Sequence, residues 1–327
     1  MDLSVLDDFA RAVGPPDAGP VVCVGGRTQW TVGGDLAGPA REVSAPAGVV
    51  AHEPGEMIVR VRAGTTLSEL DGVTATGGQF VALESAQSDR ATVGGLLACG
   101  QSGLRRLGRG PIRDSLLEVT AVTAEGETIR AGAPLVKNVT GFDLCRLLVG
   151  SVGSLALLSE VVLRCQPRPA AETWWCSDSG APVDPFTVFQ RLYRPLAVLW
   201  DGAAVWVGLA GHPSDLRDQA RAVLRPLGSW SEVAGPPEPP TAARRSLPPA
   251  RLAVVLSELR ETEPSSAWLA EIGVGMLHCD DRADRALEPA VPEAGVVELH
   301  RRLKSRFDPS GRLNPGRSPL GPVVAAT

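Results

Sequence analysis

Glycines beside polar side chains form the first segment of the sequence that could do chemistry. Within residues 22–34, a predicted apolar strand runs into Gly25 and Gly26, which are followed by Thr28 and Gln29. Adjacent glycines allow successive backbone N–H groups to point into one concavity, and such a concavity binds phosphate. The two polar side chains could add further donors. A Gly-Gly pair alone is equally typical of an ordinary turn at the end of a strand, so both interpretations stay open for this segment.

Two further segments have the same character. Residues 92–95 open an apolar stretch, and its glycines would let a ligand approach the start of a helical turn, where the helix dipole favours an anion. Residues 135–169 place Lys137 and Asn138 before a short apolar helix, and Gly153 before a β-branched strand. Together, the three anion-binding segments predict a long ligand with several polar groups.

The sequence disfavours several other kinds of site. None of the three segments is a G-x-G-x-x-G that follows a strand, and no G-x-x-x-x-G-K-[ST] occurs, which argues against a Rossmann domain and a P-loop. Six cysteines and four histidines are dispersed without the spacing of a disulfide framework, an iron–sulfur cluster or a zinc site. We therefore predict no metal, and any redox chemistry must come from an organic cofactor.

Composition limits the class of protein. The chain has 327 residues, of which 44% are hydrophobic, so a packed core is expected rather than disorder. The net charge is -5 and arginines are scattered among acids, which argues against a nucleic-acid partner. The N-terminus predicts a short amphipathic helix rather than a signal peptide, and no apolar run approaches the roughly 20 residues of a membrane span. We expect a cytoplasmic protein without a transmembrane segment.

Hydrophobic patterning predicts the elements that position these segments. Residues 55–64 alternate between apolar and polar positions and predict a half-buried strand, after which Thr65 or Thr66 can cap a short helix. Residues 116–132 predict two strands joined by a hairpin turn. The glycine-rich first half is therefore expected to contain short strands separated by turns.

The second half has a different organisation. Residues 173–235 predict a strand–helix–strand–strand–helix–strand order, an α+β module in which Ser214 caps the second helix. Residues 267–278 predict one strand. The segment after residue 290 predicts a helix that ends in a turn at residues 308–311.

The order of these segments resembles a known family. VGGRTQW, VRAGTTLSEL, ATVGGLLACGQSGLRRLGRGPIRD and VKNVTGFDLCRLLVGSVGSL follow one another as in the FAD-binding domain of the vanillyl-alcohol-oxidase (PCMH-type) flavoproteins. Within that superfamily the sequence is most similar to the FAD-binding E-subunit family of bacterial glycolate oxidases, and the ending LKSRFDPSGRLNPGR fits the same group. The resemblance is strong over residues 20–169, moderate over 270–317 and nearly absent between them.

The resemblance implies an α+β fold with three parts. Residues 1–169 would form a two-lobed PCMH-type FAD-binding domain, and residues 170–290 a smaller α+β cap that contacts the substrate. Residues 291–327 would contribute a helix and a segment that returns to the flavin. The residues implied to bind FAD are Gly25, Gly26, Arg27, Thr28, Gln29, Thr92, Val93, Gly94, Gly95, Ser102, Gly103, Lys137, Asn138, Gly153, Leu158 and Asn314.

The resemblance also bears on how FAD is held. Members of the family that attach FAD covalently use a histidine in the first loop or a cysteine beside the second. Residues 25–30 contain no histidine, and Cys99, near the second loop, is interpreted as a packing residue. We therefore expect FAD to be bound non-covalently. Lys137 and Asn138 are expected near the cofactor, although they could equally satisfy carbonyls of their own loop.

Two residues are candidates for catalysis. His278 lies in a strand that resembles the active-site strand of the family, and histidine is suited to proton transfer near neutral pH. A packed histidine at the end of a strand is the alternative. Arg245, with its neighbour Arg244, could form bidentate hydrogen bonds with a substrate carboxylate. Solvated loop arginines are the alternative for that pair.

The resemblance implies an FAD-dependent oxidoreductase that acts on the CH–OH group of a small 2-hydroxy acid, such as glycolate or lactate, by hydride transfer to the flavin. The alternative is an accessory FAD-binding subunit without catalytic activity, beside a catalytic flavoprotein and an iron–sulfur partner subunit. The substrate is not predicted, because specificity would depend on the divergent middle segment.

Overall fold

The structure is a computed structural model of the chain, and it describes residues 4–134, 143–178, 183–287 and 292–320. Its contacts divide the chain into two compact units. The first comprises the residues up to Gly103, the segment Pro111–Arg168 and the residues from Pro292 onward, and the second comprises Leu104–Gly110 and Pro169–Val291. Helices and antiparallel sheets occur in both units, which confirms the predicted α+β class.

The helices and strands are short, with few exceptions. As far as β8 they are α1 (Ser4–Val13), β1 (Val21–Cys23), β2 (Arg41–Val43), β3 (Val49–Glu53), β4 (Ile58–Arg62), α2 (Leu67–Thr76), β5 (Gln79–Val81), α3 (Val93–Cys99), α4 (Arg106–Arg109), β6 (Leu116–Val122), β7 (Thr128–Gly132), α5 (Leu144–Leu148) and β8 (Leu157–Pro167). From there they are β9 (Ala171–Ser177), α6 (Pro185–Arg191), β10 (Ala197–Trp200), β11 (Val205–Gly211), α7 (Pro213–Gln219), β12 (Trp230–Val233), β13 (Ala243–Ser246), α8 (Pro249–Thr262), β14 (Trp268–Glu271), β15 (Met276–Cys279), α9 (Asp281–Ala286) and α10 (Ala294–Phe307). Within the described ranges, no helix is both long enough and apolar enough to span a membrane.

The first unit is built on a six-stranded antiparallel sheet in the order β3-β4-β8-β6-β7, with β5 paired to another part of β8. The alternation predicted for residues 55–64 is confirmed in β4, where Val59 and Val61 are fully buried. Between them, Arg60 donates hydrogen bonds to the buried carboxylates of Glu118 and Glu160 at 2.9 and 3.1 Å. The predicted hairpin forms as β6 and β7.

Helix starts in this unit follow the sequence signals. Thr66 caps α2, and its Oγ1 accepts a hydrogen bond from the amide of Glu69. Thr92 caps α3 in the same way. Both helices contribute leucines to one apolar core with the sheet, so the two caps position the loops that precede them.

The C-terminal segment after α10 is fastened to the N-terminal part of the chain. Leu313 forms a parallel bridge with Val21 of β1, beside which β2 also runs parallel. Arg312 is 2% exposed, and its guanidinium donates hydrogen bonds to four backbone carbonyl oxygens. The acceptors are those of Val13, Gly14, Gly19 and Ala124. The segment is therefore held by hydrogen bonds to residues far away in sequence.

Asp308 forms the turn that aims this segment. Its buried carboxylate accepts hydrogen bonds from the amides of Arg312 and Leu313 and from the ammonium of Lys304, at 3.0, 2.8 and 2.6 Å. Lys304 also donates to the carbonyl oxygens of Ser154 and Leu313. The predicted turn at residues 308–311 is confirmed, and it is stabilised by a buried ion pair.

The second unit is a seven-stranded antiparallel sheet in the order β12-β9-β11-β10-β14-β15-β13. The chain runs β9-α6-β10-β11-α7-β12, which confirms the order predicted for residues 173–235. One face of the sheet packs against α6, α7, α8 and α9 in an apolar core. The other face has a smaller cluster centred on Trp174, Leu199 and Leu269.

Two local predictions for this unit are wrong. Residues 267–278 form the hairpin β14–β15 rather than one strand, because Gly273 and Gly275 adopt φ values of 81° and 80° and reverse the chain. His212, not Ser214, occupies the N-cap of α7. The hydroxyl of Ser214 is hydrogen-bonded to His212 Nδ1 instead.

We predict that Asp308→Asn lowers the free energy of unfolding by about 3 kcal/mol near neutral pH, because it removes the buried carboxylate that pairs with the partly buried ammonium of Lys304. Burial opposes ionisation of Asp308, but the hydrogen bonds from Lys304 and from the amides of Leu313 and Arg312 outweigh it and hold its pKa below the usual value. The carboxylate therefore stabilises the fold above its unfolded-state pKa of about 4, and this contribution disappears as the pH falls through the folded-state pKa. Urea unfolding of wild type and variant should converge at acid pH.

The exposed Glu298 on α10 provides the matched control. Its carboxylate pairs with Arg301 in solvent, so Glu298→Gln should leave unfolding unchanged within error. A difference between wild type and Asp308→Asn that stays constant into the acid range would contradict the assigned role of Asp308.

Candidate functional site

A cleft in the first unit is bordered by the glycine segments singled out in the sequence. It consists of two adjoining cavities of about 450 Å³ and about 510 Å³. The residues common to both are Cys23, Gly25, Thr92, Gly95, Ala98 and Asn314. They belong to β1 and the loop after it, to the start and body of α3, and to the C-terminal segment. Parts of the chain that are distant in sequence therefore meet at this cleft.

The loop after β1 presents backbone donors to the cleft. In the described part of the chain, none of the amides of residues 25–29 donates to a protein acceptor, and all five residues line the cleft. A Cβ on Gly26 would lie 1.7 Å from the carbonyl oxygen of Arg90, so only glycine fits there. Arg27 adopts a φ of 55°, which is unfavourable for a residue with a side chain. This geometry fits the expected nest of N–H groups.

The second segment, residues 92–95, gives a ligand room to approach but offers it no backbone N–H donors from Val93, Gly94 or Gly95. The amides of Val93 and Gly94 donate to the carbonyl oxygens of Thr65 and Ala63 at 2.9 and 2.7 Å. The amide of Gly95 donates to Oγ1 of the capping Thr92. The side chain of Val93 is fully buried in the core.

The glycines of this second segment are explained by close packing. Gly94 and Gly95 line the cleft, and a Cβ on Gly94 would lie 2.7 Å from Cβ of Ala63. A Cβ on Gly25, in the facing loop, would lie 2.3 Å from Oγ1 of Thr92. The two loops therefore approach each other more closely than side chains would allow.

The third wall joins the end of α5 to the C-terminal segment through Asn314. The side-chain amide of Asn314 donates to the carbonyl oxygen of Val152 at 2.5 Å and accepts from the amide of Cys23 at 3.2 Å. Gly153 and Leu158 line the cleft beside it. Val152 and Asn314 adopt φ values of 50° and 44°. Backbone strain of this kind concentrates at functional sites, and three of its occurrences here border one cleft.

Some predicted cofactor residues lie elsewhere. Ser102 and Gly103 are not among the described residues that line the cleft. The hydroxyl of Ser102 accepts a hydrogen bond from the amide of Ile112 at 3.0 Å. A Cβ on Gly103 would lie 2.1 Å from Oε2 of Glu84, which explains the glycine. Lys137 and Asn138 lie outside the described residues, so their contact with the cofactor stays a prediction.

Trp30 and Arg317 are among the cleft residues that sequence reasoning missed. The guanidinium carbon of Arg317 lies 3.9 Å from the centroid of the Trp30 ring, and that of Arg27 lies 4.4 Å from it. Arg317 also donates to the carbonyl oxygen of Trp30 at 2.8 Å. The only sequence signals were an aromatic residue directly after the first loop and a cation three residues after Asn314.

Two cysteines border the cleft as neutral thiols. Burial raises the pKa of Cys23 to about 11, against a smaller opposite effect of a hydrogen bond to the backbone of Ala45. Burial likewise raises the pKa of Cys99 to about 11, although the charge of Arg317 opposes it. Because the thiolate is the nucleophile of cysteine chemistry, neither residue is activated for attack on a flavin.

The two candidate catalytic residues belong to the second unit, on opposite faces of its sheet. His278 of β15 is paired in register with Arg244 of β13, and Arg245 is paired with Leu277. Neighbouring residues of a strand point to opposite faces. Arg245 accordingly donates to Asp284 of α9 at 2.6 Å, on the face that carries the helices. The structure does not bring Arg245 and His278 together.

His278 instead forms a cluster with Glu271 and Arg244. Its Nε2 lies 2.8 Å from Oε1 of Glu271, and Arg244 Nη2 donates to the same oxygen at 3.3 Å. Glu271 is 1% exposed and its Oε2 has no hydrogen-bond partner within the structure described. Sequence reasoning missed Glu271, although it precedes His278 by seven residues across the turn of the hairpin.

The cleft of the first unit suits a dinucleotide. It combines backbone donors that have no protein acceptor, two guanidinium groups and glycines that allow close approach. Two polar atoms buried against it, Oε1 of Gln29 and Nε of Arg317, lack a hydrogen-bond partner among the described residues. A ligand with an anionic centre and hydroxyl groups would satisfy them. Over the same residues, no group of three or more His, Cys, Asp or Glu side chains is placed to hold a metal ion.

Comparison with known proteins agrees with this chemistry. A family model described as an FAD binding domain matches residues 16–132. The chain is 28% identical over 343 residues to glycolate oxidase subunit GlcE of Escherichia coli (strain K12), which covers 96% of each chain. A 38% identical match over 107 residues to D-lactate dehydrogenase of Archaeoglobus fulgidus covers 32% of this chain and 24% of that one. The fold resembles that of an alkyldihydroxyacetonephosphate synthase, with a TM-score of 0.68, 14% identity, and coverage of 94% of this chain and 74% of that one.

We predict that Gly26→Ala impairs FAD binding, because its Cβ would displace the first loop from Arg90. The Kd for FAD should rise on the order of tenfold, the effect of losing one hydrogen bond to a charged group. Gly38→Ala is the matched control, since no atom lies within 4 Å of its Cβ position. Fluorescence titration of the apoprotein gives the Kd.

Acid precipitation of the purified holoprotein should leave the flavin in the supernatant, and flavin retained in the pellet would contradict non-covalent binding.

These findings confirm the resemblance seen in the sequence. The family model covers the loop and the helix that border the cleft, and the relatives are a subunit of an oxidase and a dehydrogenase. FAD is therefore the cofactor of an oxidoreductase. Residues 16–132 match an FAD-binding domain, and the chain is similar over nearly its whole length to a glycolate oxidase subunit.

Proposed function

We propose that the chain oxidises a small 2-hydroxy acid of the glycolate or lactate type. The cluster of Arg244, Glu271 and His278 on one face of the second unit's sheet is the observation that carries the proposal. The names of the two relatives, a glycolate oxidase subunit and a D-lactate dehydrogenase, support the same substrate class. FAD binding by residues of the first unit supports the redox half of the reaction.

The reaction requires three things of the protein. A hydride must leave the α-carbon, a proton must leave the hydroxyl group, and the carboxylate must be held by a cation. Bound FAD supplies the hydride acceptor. The protein supplies the base and the cation, and both are found in the cluster around Glu271.

His278 is the proposed base. The contact of His278 Nε2 with Oε1 of Glu271 fits the tautomer in which Nε2 donates to the carboxylate. Nδ1 is then left as the acceptor for the hydroxyl proton. Glu271 also stabilises the imidazolium that forms after proton transfer, as a carboxylate does for histidine bases in general.

Arg244 is the proposed carboxylate ligand, in preference to the Arg245 that the sequence suggested. It shares the face of His278, directly across the strand pair, and contacts Glu271 there, whereas Arg245 lies on the other face beside Asp284. A guanidinium can bind a carboxylate through two parallel hydrogen bonds. With the base and the cation on adjacent strands, the base would accept the proton of the hydroxyl group and the cation would bind the carboxylate of the same 2-hydroxy acid.

A second candidate function is that of an accessory subunit. The relative that matches almost the whole chain is a subunit of glycolate oxidase, whereas the dehydrogenase match covers a third of the chain. This pattern supports a role within a complex, in which the chain would hold FAD beside a catalytic flavoprotein and an iron–sulfur subunit. The two functions differ in whether the isolated chain reacts with the substrate.

Anaerobic mixing of the isolated holoprotein with glycolate or D-lactate separates them. We predict that the visible absorbance of the flavin is lost, and that His278→Ala slows this loss by roughly a hundredfold to ten-thousandfold while FAD content is unchanged. The exposed His212 gives the control variant His212→Ala, which should react like wild type. Absorbance that falls only after partner subunits are added would establish the accessory function. Equal rates with and without His278 would remove it as the base.

The neighbouring arginines provide a second test in the same assay. We predict that Arg244→Gln raises the KM for the hydroxy acid by roughly tenfold to a hundredfold, the effect of losing hydrogen bonds between charged groups. Arg245→Gln should leave KM unchanged and lower only the unfolding temperature, because it breaks the pair with Asp284. The reverse result would restore Arg245 as the carboxylate ligand.

A further inference from the structure

We propose that Arg317 binds the diphosphate of FAD, because it is the cation of the cleft that pairs with no carboxylate among the described residues. The C-terminal segment would then contribute directly to cofactor binding, in addition to closing the cleft through Asn314. This inference concerns FAD binding alone and does not depend on the identity of the substrate.

The position of Arg317 is fixed by its surroundings. Its amide donates to the carbonyl oxygen of Asn314 at 3.1 Å, and the neighbouring Ser318 donates to Gly33 at 2.9 Å. Its guanidinium stacks on Trp30 and donates through Nη2 to the Trp30 carbonyl oxygen. Trp30 directly follows the loop whose amides have no protein acceptor. The side chain is therefore held rigidly at the end of the proposed phosphate nest.

The charge of Arg317 is not neutralised by the protein, in contrast to that of Arg27. Arg27 donates to both carboxylate oxygens of Glu42 at 2.6 Å. Arg317 forms no ion pair within 4 Å in the portion of the chain described, although Asp35 is near enough to favour its charged form. Burial nevertheless lowers the pKa of Arg317, and the charge of Arg27 adds to this effect. A half-buried cation whose Nε is fully buried and that pairs with no carboxylate of the described residues is costly unless a ligand provides a counterion.

Arg317 also has a donor without an acceptor. Its Nε is buried and has no hydrogen-bond partner among the described residues. In addition, no acidic residue is found among those that line the two cavities, so an incoming anion meets no repulsion from the described lining. An orphaned donor, an uncompensated charge and a lining free of carboxylates all indicate an anionic ligand group at this point.

The chemistry of FAD identifies that group. At neutral pH the diphosphate is the only part of the oxidised cofactor that carries permanent negative charge, and guanidinium groups match phosphate oxygens through paired hydrogen bonds. The free amides of residues 25–29 offer the second half of such a site. The loop and Arg317 would therefore hold the diphosphate from two sides.

Comparison of FAD with riboflavin tests the assignment, because riboflavin has the ring system and ribityl chain but no phosphate. Apoprotein is titrated with each compound, and flavin fluorescence gives the Kd. We predict that Arg317→Gln raises the Kd for FAD by roughly tenfold to a hundredfold, as expected for lost hydrogen bonds to a charged group. The Kd for riboflavin should be unchanged. The exposed Arg301, paired with Glu298 on α10, gives the matched control Arg301→Gln, which should bind both compounds as wild type does.

Two outcomes would overturn the proposal. An unchanged Kd for FAD would show that Arg317 does not contact the cofactor. Equal weakening of FAD and riboflavin binding would place its contact on the ring system or the ribityl chain. If Arg317→Gln apoprotein fails to fold, as judged by its thermal unfolding, Arg317→Lys keeps the charge but not the paired donors. That variant should still weaken FAD binding more than riboflavin binding, and an equal effect on both would again reject the assignment.

Discussion

The buried carboxylate of Asp308 is the constraint on which the cofactor cleft depends. It fixes the turn after α10, and the turn delivers Arg312, Leu313 and Asn314 to the N-terminal part of the first unit. Asn314 then links the backbone of β1 to that of Val152. Without this turn, Asn314 would not be held between the two segments. The loop after β1 and the wall near Gly153 would then lose the hydrogen bonds through which Asn314 links them.

The two glycine segments that border the cleft have different roles. The amides of residues 25–29 have no acceptor among the residues that the structure describes, and they are donors available to a phosphate. The amides of Gly94 and Gly95, at the start of α3, donate to Ala63 and Thr92, so these glycines serve close packing rather than donation to a ligand. Two segments that look alike in sequence thus differ in function, because hydrogen-bond partners from other parts of the chain satisfy one and not the other.

In the second unit, two adjacent arginines likewise have different surroundings. Arg244 and Arg245 are indistinguishable by composition, but the alternation of a strand sends them to opposite faces. One face is occupied by helices and includes Asp284, whereas the other places Arg244 beside Glu271 and His278. The pairing register of β13 with β15 therefore decides which arginine can act together with the histidine.

Several features could be predicted from the sequence because they depend on local chemistry. The threonine cap of α2, the β6–β7 hairpin and the strand–helix order of the second unit are confirmed as predicted. The identity of the cofactor followed from the order of several motifs along the chain. Each of these signals is contained within a few neighbouring residues or in their linear order, so no knowledge of long-range contacts was required.

Other features depended on the tertiary structure. The hairpin within residues 267–278 was missed because two positive φ angles at glycines, and not the apolar pattern, determine the reversal. Arg317, Trp30 and Glu271 were missed because their significance arises from partners that are distant in sequence or lie across a turn. The sequence by itself determined the fold class, the local elements and the cofactor. Only the tertiary structure decided which amides stay available, which arginine faces the histidine and which cation lacks a counterion, since each of these depends on how distant segments satisfy one another's hydrogen bonds and charges.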